Sequence, residues 1–169
     1  MRSIGRSIGQ AVILLGVVGL AACQPRPRPD PLADAPQDVP TGSTFTLNQT
    51  IVIPAGASAV YFQDAQLVAQ SGLRQHYAFC RFGTDDPAGT PREIKPQPFT
   101  VGGVDYEEQA SGPVGEAVSL TRMNLLTSQK VQGYNMTCGL PGPAESARFV
   151  TVSQINGAVG GYFTLKRLF

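Results

Sequence analysis

The chain is 169 residues long and nearly balanced in charge, with 13 Lys and Arg against 12 Asp and Glu. It has room for one ordinary domain and no net field that calls for nucleic acid or a strongly charged partner. Apolar residues make up 42% and charged residues 15%, with 19 Gly and 14 Pro, which argues for a folded, loop-rich body over a disordered chain; His76, the one histidine, narrows acid–base and metal chemistry.

At the start of the chain, Arg2 and Arg6 form a short basic segment and Ile8 to Leu20 is almost entirely apolar, the layout of a secretory signal. A spanning helix needs about 20 apolar residues. This run is shorter, is interrupted by Gly9, Gly16 and Gly19, and stops at Cys23-Gln24-Pro25. Residues 1–22 therefore read as a cleaved signal peptide, not a retained transmembrane anchor.

The stop itself, Leu20-Ala21-Ala22-Cys23, is an aliphatic residue, two small ones and a cysteine, and it resembles the lipobox of bacterial lipoproteins. The small residues suit a peptidase that approaches the backbone closely, and the cysteine supplies a nucleophilic sulfur. The resemblance covers the targeting segment only. It implies cleavage between Ala22 and Cys23, thioether lipidation of Cys23, and acylation of the new amine by a fatty acid such as palmitate. Two or three acyl chains, at about 0.8 kcal/mol per buried methylene, hold a protein to a bilayer effectively permanently. In that family an Asp directly after the cysteine favours retention in the inner membrane, and this chain has Gln24; the expected address is the outer membrane, facing the periplasm.

Residues 24–42 carry Pro25, Pro27, Pro29, Pro31, Pro36 and Pro40 and almost no large apolar side chain. Such a stretch cannot build a core and favours extended polyproline II at about 3.1 Å per residue. Residues 23–42 thus read as a lipidated cysteine and tether, and residues 43–169 as a single β-rich domain. Arg26 and Arg28 lie near the lipid, but two charges add little attraction to anionic headgroups.

In the body, Thr44 to Leu47 alternates polar and apolar, Ile51 to Ile53 ends at Pro54-Ala55-Gly56, and Ala59 to Phe62 precedes a turn at Asp64 before Leu67-Val68. Gln75 to Phe82 reads as a strand buried on both sides, with His76, Ala78, Cys80 and Phe82 on one face and Tyr77 and Phe79 on the other. Thr84 to Pro91 is a loop. Phe99 to Tyr106 is a strand with a bulge or bend at Gly102-Gly103, and Val118 to Leu126 and Val131 to Leu140 are joined across Thr127 to Lys130. Thr151-Val152-Ser153-Gln154 matches a capping box, which predicts a helix over Val152 to Val159 and then a strand from Tyr162 to Leu165; a Gly-containing strand is the competing reading of that helix. About seven or eight short strands at this spacing predict a mainly β fold, an antiparallel β-sandwich or barrel with one short C-terminal helix.

With Cys23 assigned to lipid, Cys80 and Cys138 remain, an even number in an oxidising compartment, and a disulfide between them is expected. A redox-active pair is the alternative, without the C-x-x-C spacing that would favour it. No zinc-protease, phosphate-loop or dinucleotide motif is present, so no metal and no cofactor is expected. A Ser-His-Asp or Cys-His machine would need His76, which alternation puts beside Cys80 as a structural residue. Asp85-Asp86 and Glu107-Glu108 are the carboxylate pairs open to calcium binding or glycoside hydrolysis, without diagnostic spacing. Asn48 and Asn135 begin glycosylation triplets that a bacterial lipoprotein does not use.

The reading that follows is a membrane-anchored, non-catalytic interaction or structural module, not an enzyme, bound to the membrane through lipid on Cys23 and meeting an envelope protein or the cell wall. The alternative is a carrier of a small apolar ligand in a β-barrel cavity, suggested by aromatic strands such as Tyr77-Ala78-Phe79. A hydrolase using the loop carboxylates ranks third.

Overall fold

The computed structural model describes residues 39–110, 115–128, 132–146 and 148–168. The tether expected through residue 42 gives way to packed structure earlier, since Val39 is buried in the core and the Gly42 amide donates to the Val101 carbonyl at 2.7 Å. Residues 1–38, with the signal peptide, the lipobox and the proline-rich run, lie outside the described residues.

Ten strands form among the described residues: β1 (Thr44–Leu47), β2 (Ile51–Ile53), β3 (Ala59–Gln63), β4 (Gln66–Val68), β5 (Phe79–Gly83), β6 (Arg92–Ile94), β7 (Gln97–Ala110), β8 (Glu116–Leu126), β9 (Gln132–Pro143) and β10 (Phe163–Lys166). Eight of them make one antiparallel sheet in the order β10-β1-β7-β8-β9-β5-β3-β4, while β2 and β6 pair separately. The fold is mainly β, an antiparallel half-barrel with one short C-terminal helix, α1 (Val152–Val159).

Alternation explains most of these strands. In β1 the inward residues Phe45 and Leu47 are buried, in β2 Ile51 and Ile53, in β10 Phe163 and Leu165, each pair two residues apart as a strand with one wet face requires. The β3–β4 turn uses two residues, Asp64 and Ala65, both at positive φ (50° and 62°), the backbone twist that tight hairpins favour. At the predicted Gly102-Gly103 irregularity the β7–β8 register shifts, from Val101 opposite Leu125 to Gly103 opposite Asn124, which bends β7 and tightens the curl of the sheet.

The curl is closed by side chains. Phe163 on β10, one end of the sheet, meets Phe82 on β5 at 4.9 Å and Phe62 on β3 at 5.8 Å between ring centroids, near the other end. Helix α1 packs on β10, β5 and β3 together, burying Ile155, Ala158 and Val159. Its start is the capping box read from sequence: the Gln154 amide donates to Thr151 Oγ1 and the Thr151 amide to Gln154 Oε1. Its end is Gly160, at φ +49°, where a side chain would collide with Ala65 in the β3–β4 turn; the Ala65 amide donates to the Ala158 carbonyl at 3.1 Å. Helix and hairpin are thereby locked together.

Two expectations change. The strand expected from Gln75 begins only at Phe79. His76 sits in an exposed turn at φ +63° and Tyr77 is 49% exposed, so neither belongs to a doubly buried strand. The cause is a partner on another strand: the backbone of Arg74 and Tyr77 is hydrogen-bonded to the side chain of Gln63 on β3 and not to a ladder. A strand absent from the sequence reading, β6, brings Ile94 opposite Ile51.

Candidate functional site

Residues directly opposite one another in an antiparallel pair share a face, so the registers define the outer surface of the half-barrel. Asp105, Arg122, Thr137, Arg81 and Tyr61 stand side by side on β7, β8, β9, β5 and β3. The next row is Glu107, Leu120, Gly139, Phe79 and Gln63. Gly139 has no side chain for a packing reason. A Cβ there would come within 2.7 Å of Leu120 and 3.0 Å of Phe79, so the glycine lets those two close over β9.

Two hydrogen-bond sets make this face rigid. The first centres on Arg81, whose Nη1 donates to Asn135 Oδ1 at 2.9 Å and whose Nη2 donates to Ser58 Oγ at 2.8 Å and to the Thr84 carbonyl at 3.2 Å. Asn135 in turn donates to Asp85 at 2.8 Å, and Arg92 donates to Thr84 Oγ1 at 2.8 Å. The second centres on Gln63, only 3% exposed. Its amide accepts from the Arg74 backbone N–H at 2.8 Å and donates to the carbonyls of Arg74 and Tyr77. An Asp64–Arg74 ion pair and the Arg74 guanidinium lying 4.1 Å from the centre of the Tyr77 ring add to the latch. The loop between β4 and β5 is therefore pinned against the sheet.

Between this loop and the strands lies a cleft of about 400 Å³ lined by Tyr61, Leu73, Phe79, Arg81, Leu120, Arg122 and Thr137, among others. It adjoins a smaller one, about 260 Å³, through the shared walls Leu73, Phe79 and Val118. One half is apolar, from Leu73, Phe79, Val118 and Leu120. The other carries the guanidinium groups of Arg81 and Arg122 and the carboxylate of Asp85. Thr137 is 7% exposed and its Oγ1 has no hydrogen-bond partner, an expense that a folded protein seldom leaves in place. Sequence reasoning missed this cleft, because its residues are scattered from position 61 to 137 and only the register assembles them.

The residues singled out from sequence are distributed differently. Ala22 and Cys23, the cleavage and lipidation positions, lie outside the described residues. Cys80 and Cys138 form a disulfide between adjacent strands, fully buried, with Cα atoms 4.0 Å apart. Asp85 is engaged with Asn135. Glu107 and Glu108 are neighbours on β7 and so project from opposite faces, which separates the two carboxylates. Glu107 accepts from Gln109. Asn135 is buried on β9, and Asn48 donates to the Gly161 carbonyl and Thr164. Among the described residues no group of three His, Cys, Asp or Glu gathers to hold a metal ion, and no helix is long and apolar enough to cross a membrane.

No family model matches the chain, and no curated protein or solved structure matches it.

Proposed function

We propose that this chain is a lipid-anchored envelope protein of the outer membrane whose β domain serves as a non-catalytic binding module. The observation that carries the reading is the sequence Leu20-Ala21-Ala22-Cys23 behind a basic and apolar start and ahead of a proline-rich spacer. Lipid on Cys23 fixes the address, and the spacer holds the domain away from the bilayer. A binding role is favoured over a catalytic one by the make-up of the outer cleft, where Arg81 and Asp85 are both tied to Asn135 as hydrogen-bonded supports. The carrier alternative needs room inside the half-barrel. There, Phe45, Phe62, Phe82, Phe99, Met123 and Met136 are packed with no exposure.

The anchor is tested by feeding cells an alkyne-tagged fatty acid and probing the purified protein. Wild type is expected to take up label and Cys23→Ser to lose it, while an inhibitor of lipoprotein signal peptidase leaves a larger precursor. An unlabelled wild-type protein of unchanged size under the inhibitor overturns the reading.

A further inference from the structure

We propose that the open edge of β7, from Val104 to Ala110, takes up a basic extended segment of a partner protein as an added strand. The proposal gives the binding module a partner chemistry and rests on that reading of the domain, but not on the anchor.

The edge is open because β7 outruns its neighbour. β1 is in register with β7 only from Gln97 to Thr100, and the last bonds on that side join Val101 to Ser43 and Gly42. There the chain before β1 turns, with the Ser43 amide donating to the Pro40 carbonyl, while β7 continues beside β8 as far as Ala110. Beyond Val101 no described strand pairs with β7 on its β1 side.

The ladders fix which backbone groups face that side. The Ala144 amide donates to the Gly115 carbonyl, and antiparallel pairs alternate between bonded and non-bonded, so Ala117, Ser119 and Thr121 turn their backbone groups to β9. Val118, Leu120 and Arg122 therefore turn theirs to β7, where they meet Gln109, Glu107 and Asp105. Glu108 and Ala110, out of step with these, direct N–H and C=O to the open side. Both residues are exposed, and groups of this kind form the main-chain bonds of an added strand.

Side chains choose the partner. From Gln97 to Thr121 the chain carries Asp105, Glu107, Glu108 and Glu116 and no Lys or Arg. Asp105 stands opposite Arg122, but Glu107 and Glu108 form no ion pair among the described residues. As neighbours they project from opposite faces of the strand, so a carboxylate flanks the edge on each side. A second copy of this chain would bring like charges together across the new ladder, which is destabilising. A strand with Lys or Arg at the facing positions gains an ion pair on each face. Proline and lysine, which blunt many free edges, are absent from Val104 to Ala110; the carboxylates select among strands and leave the backbone available. Tyr106, whose ring meets that of Phe149 at 5.0 Å and stays 43% exposed, adds an apolar contact for a side chain beside it.

The full chain, nitrogen-15 labelled, is titrated with a short capped peptide of valine and threonine carrying two adjacent central lysines, with the same peptide carrying two glutamates, and with the lysine peptide N-methylated along its backbone. Saturable shifts centred on Val104 to Ala110 are expected with the lysine peptide, together with slower hydrogen exchange at the Glu108 and Ala110 amides. The glutamate peptide is expected to bind about tenfold more weakly or worse, the sum of two exposed ion pairs turned repulsive, and the N-methylated peptide not to bind. Exchanging both charges, with Glu107→Lys and Glu108→Lys together, should reverse the preference in favour of the glutamate peptide; both side chains are exposed, and the unchanged unfolding midpoint of this variant checks that the fold is kept. No saturable binding of the lysine peptide, equal binding of the glutamate or N-methylated peptide, shifts centred away from β7, or a Glu108 amide already protected in the free protein overturns the proposal. Fatty-acid labelling of Cys23 and cross-linking of another face to a protein would then still stand as separate readouts of the anchor and of a module with a different partner.

Discussion

Inside the half-barrel, Phe82, Met123 and Met136 stand on three neighbouring strands with no exposure at all, whereas the outward residues beside them on the same strands are Arg81, Arg122 and Thr137. The inner face gains its stability from close-packed apolar side chains. The outer face is organised by hydrogen bonds, and its polar groups define a cleft. Because strand side chains alternate, one stretch such as Met136-Thr137-Cys138 serves both at once: Met136 and Cys138 in the core, Thr137 in the cleft. A substitution is therefore expected to act according to its face, not its distance along the chain.

The largest test of that contrast is Phe82→Ala. It opens the ring cluster with Phe99, Tyr134 and Phe163 and should cost about 3–5 kcal/mol of unfolding free energy in a urea titration; a loss below about 1 kcal/mol would mean that the inner face is not the stabilising one. Replacing Cys80 and Cys138 together by Ala removes a cross-link spanning a sequence separation of 58 and should cost about 2–5 kcal/mol by the same measurement. On the outer face, Gln63→Ala leaves the Arg74 amide and two carbonyls without the partner they now share. The expected global loss is smaller, about 1–3 kcal/mol, with the extra hydrogen exchange confined to residues 70–78; uniform acceleration across the sheet would erase the distinction between latch and core. The smallest effect is expected at Thr121 on the inner face, 2% exposed with an unpartnered Oγ1 and no place in the cleft. Thr121→Val should stabilise by up to about 1 kcal/mol in the same urea titration.

Much of the scaffold was legible from residue order. Period-two alternation placed β1, β2, β8 and β9, the Thr151/Gln154 pair placed α1 with its cap, and Gly102-Gly103 placed the bulge, because each rests on neighbours within a few positions. The disulfide was legible by counting cysteines. Other features depend on partners far away. β6 is Arg92, Glu93 and Ile94, a segment with one buried residue whose strand character comes only from pairing with β2. The aromatic run at Tyr77 to Phe79 invited a long strand, but Gln63, more than ten residues earlier, draws the Arg74–Tyr77 backbone away. The cleft escaped notice for the same reason. Arg122, Thr137 and Arg81 are isolated polar residues in sequence, and only two ladders in register make them a row.

The side-chain closure of the half-barrel also sets the timetable of folding. β1 pairs with β10, Thr44 opposite Lys166, and Phe163 completes the ring cluster. A growing chain can assemble the β7–β8–β9 meander as its hairpins emerge, yet it has no seal for its core until β10 arrives, and contacts so distant in sequence form slowly. Until then the rings of Phe45 and Phe62 have no final partner. This interval, between the emergence of β9 and the docking of β10, is when the protein is most open to proteolysis, and a chaperone that shields aromatic surface would act there.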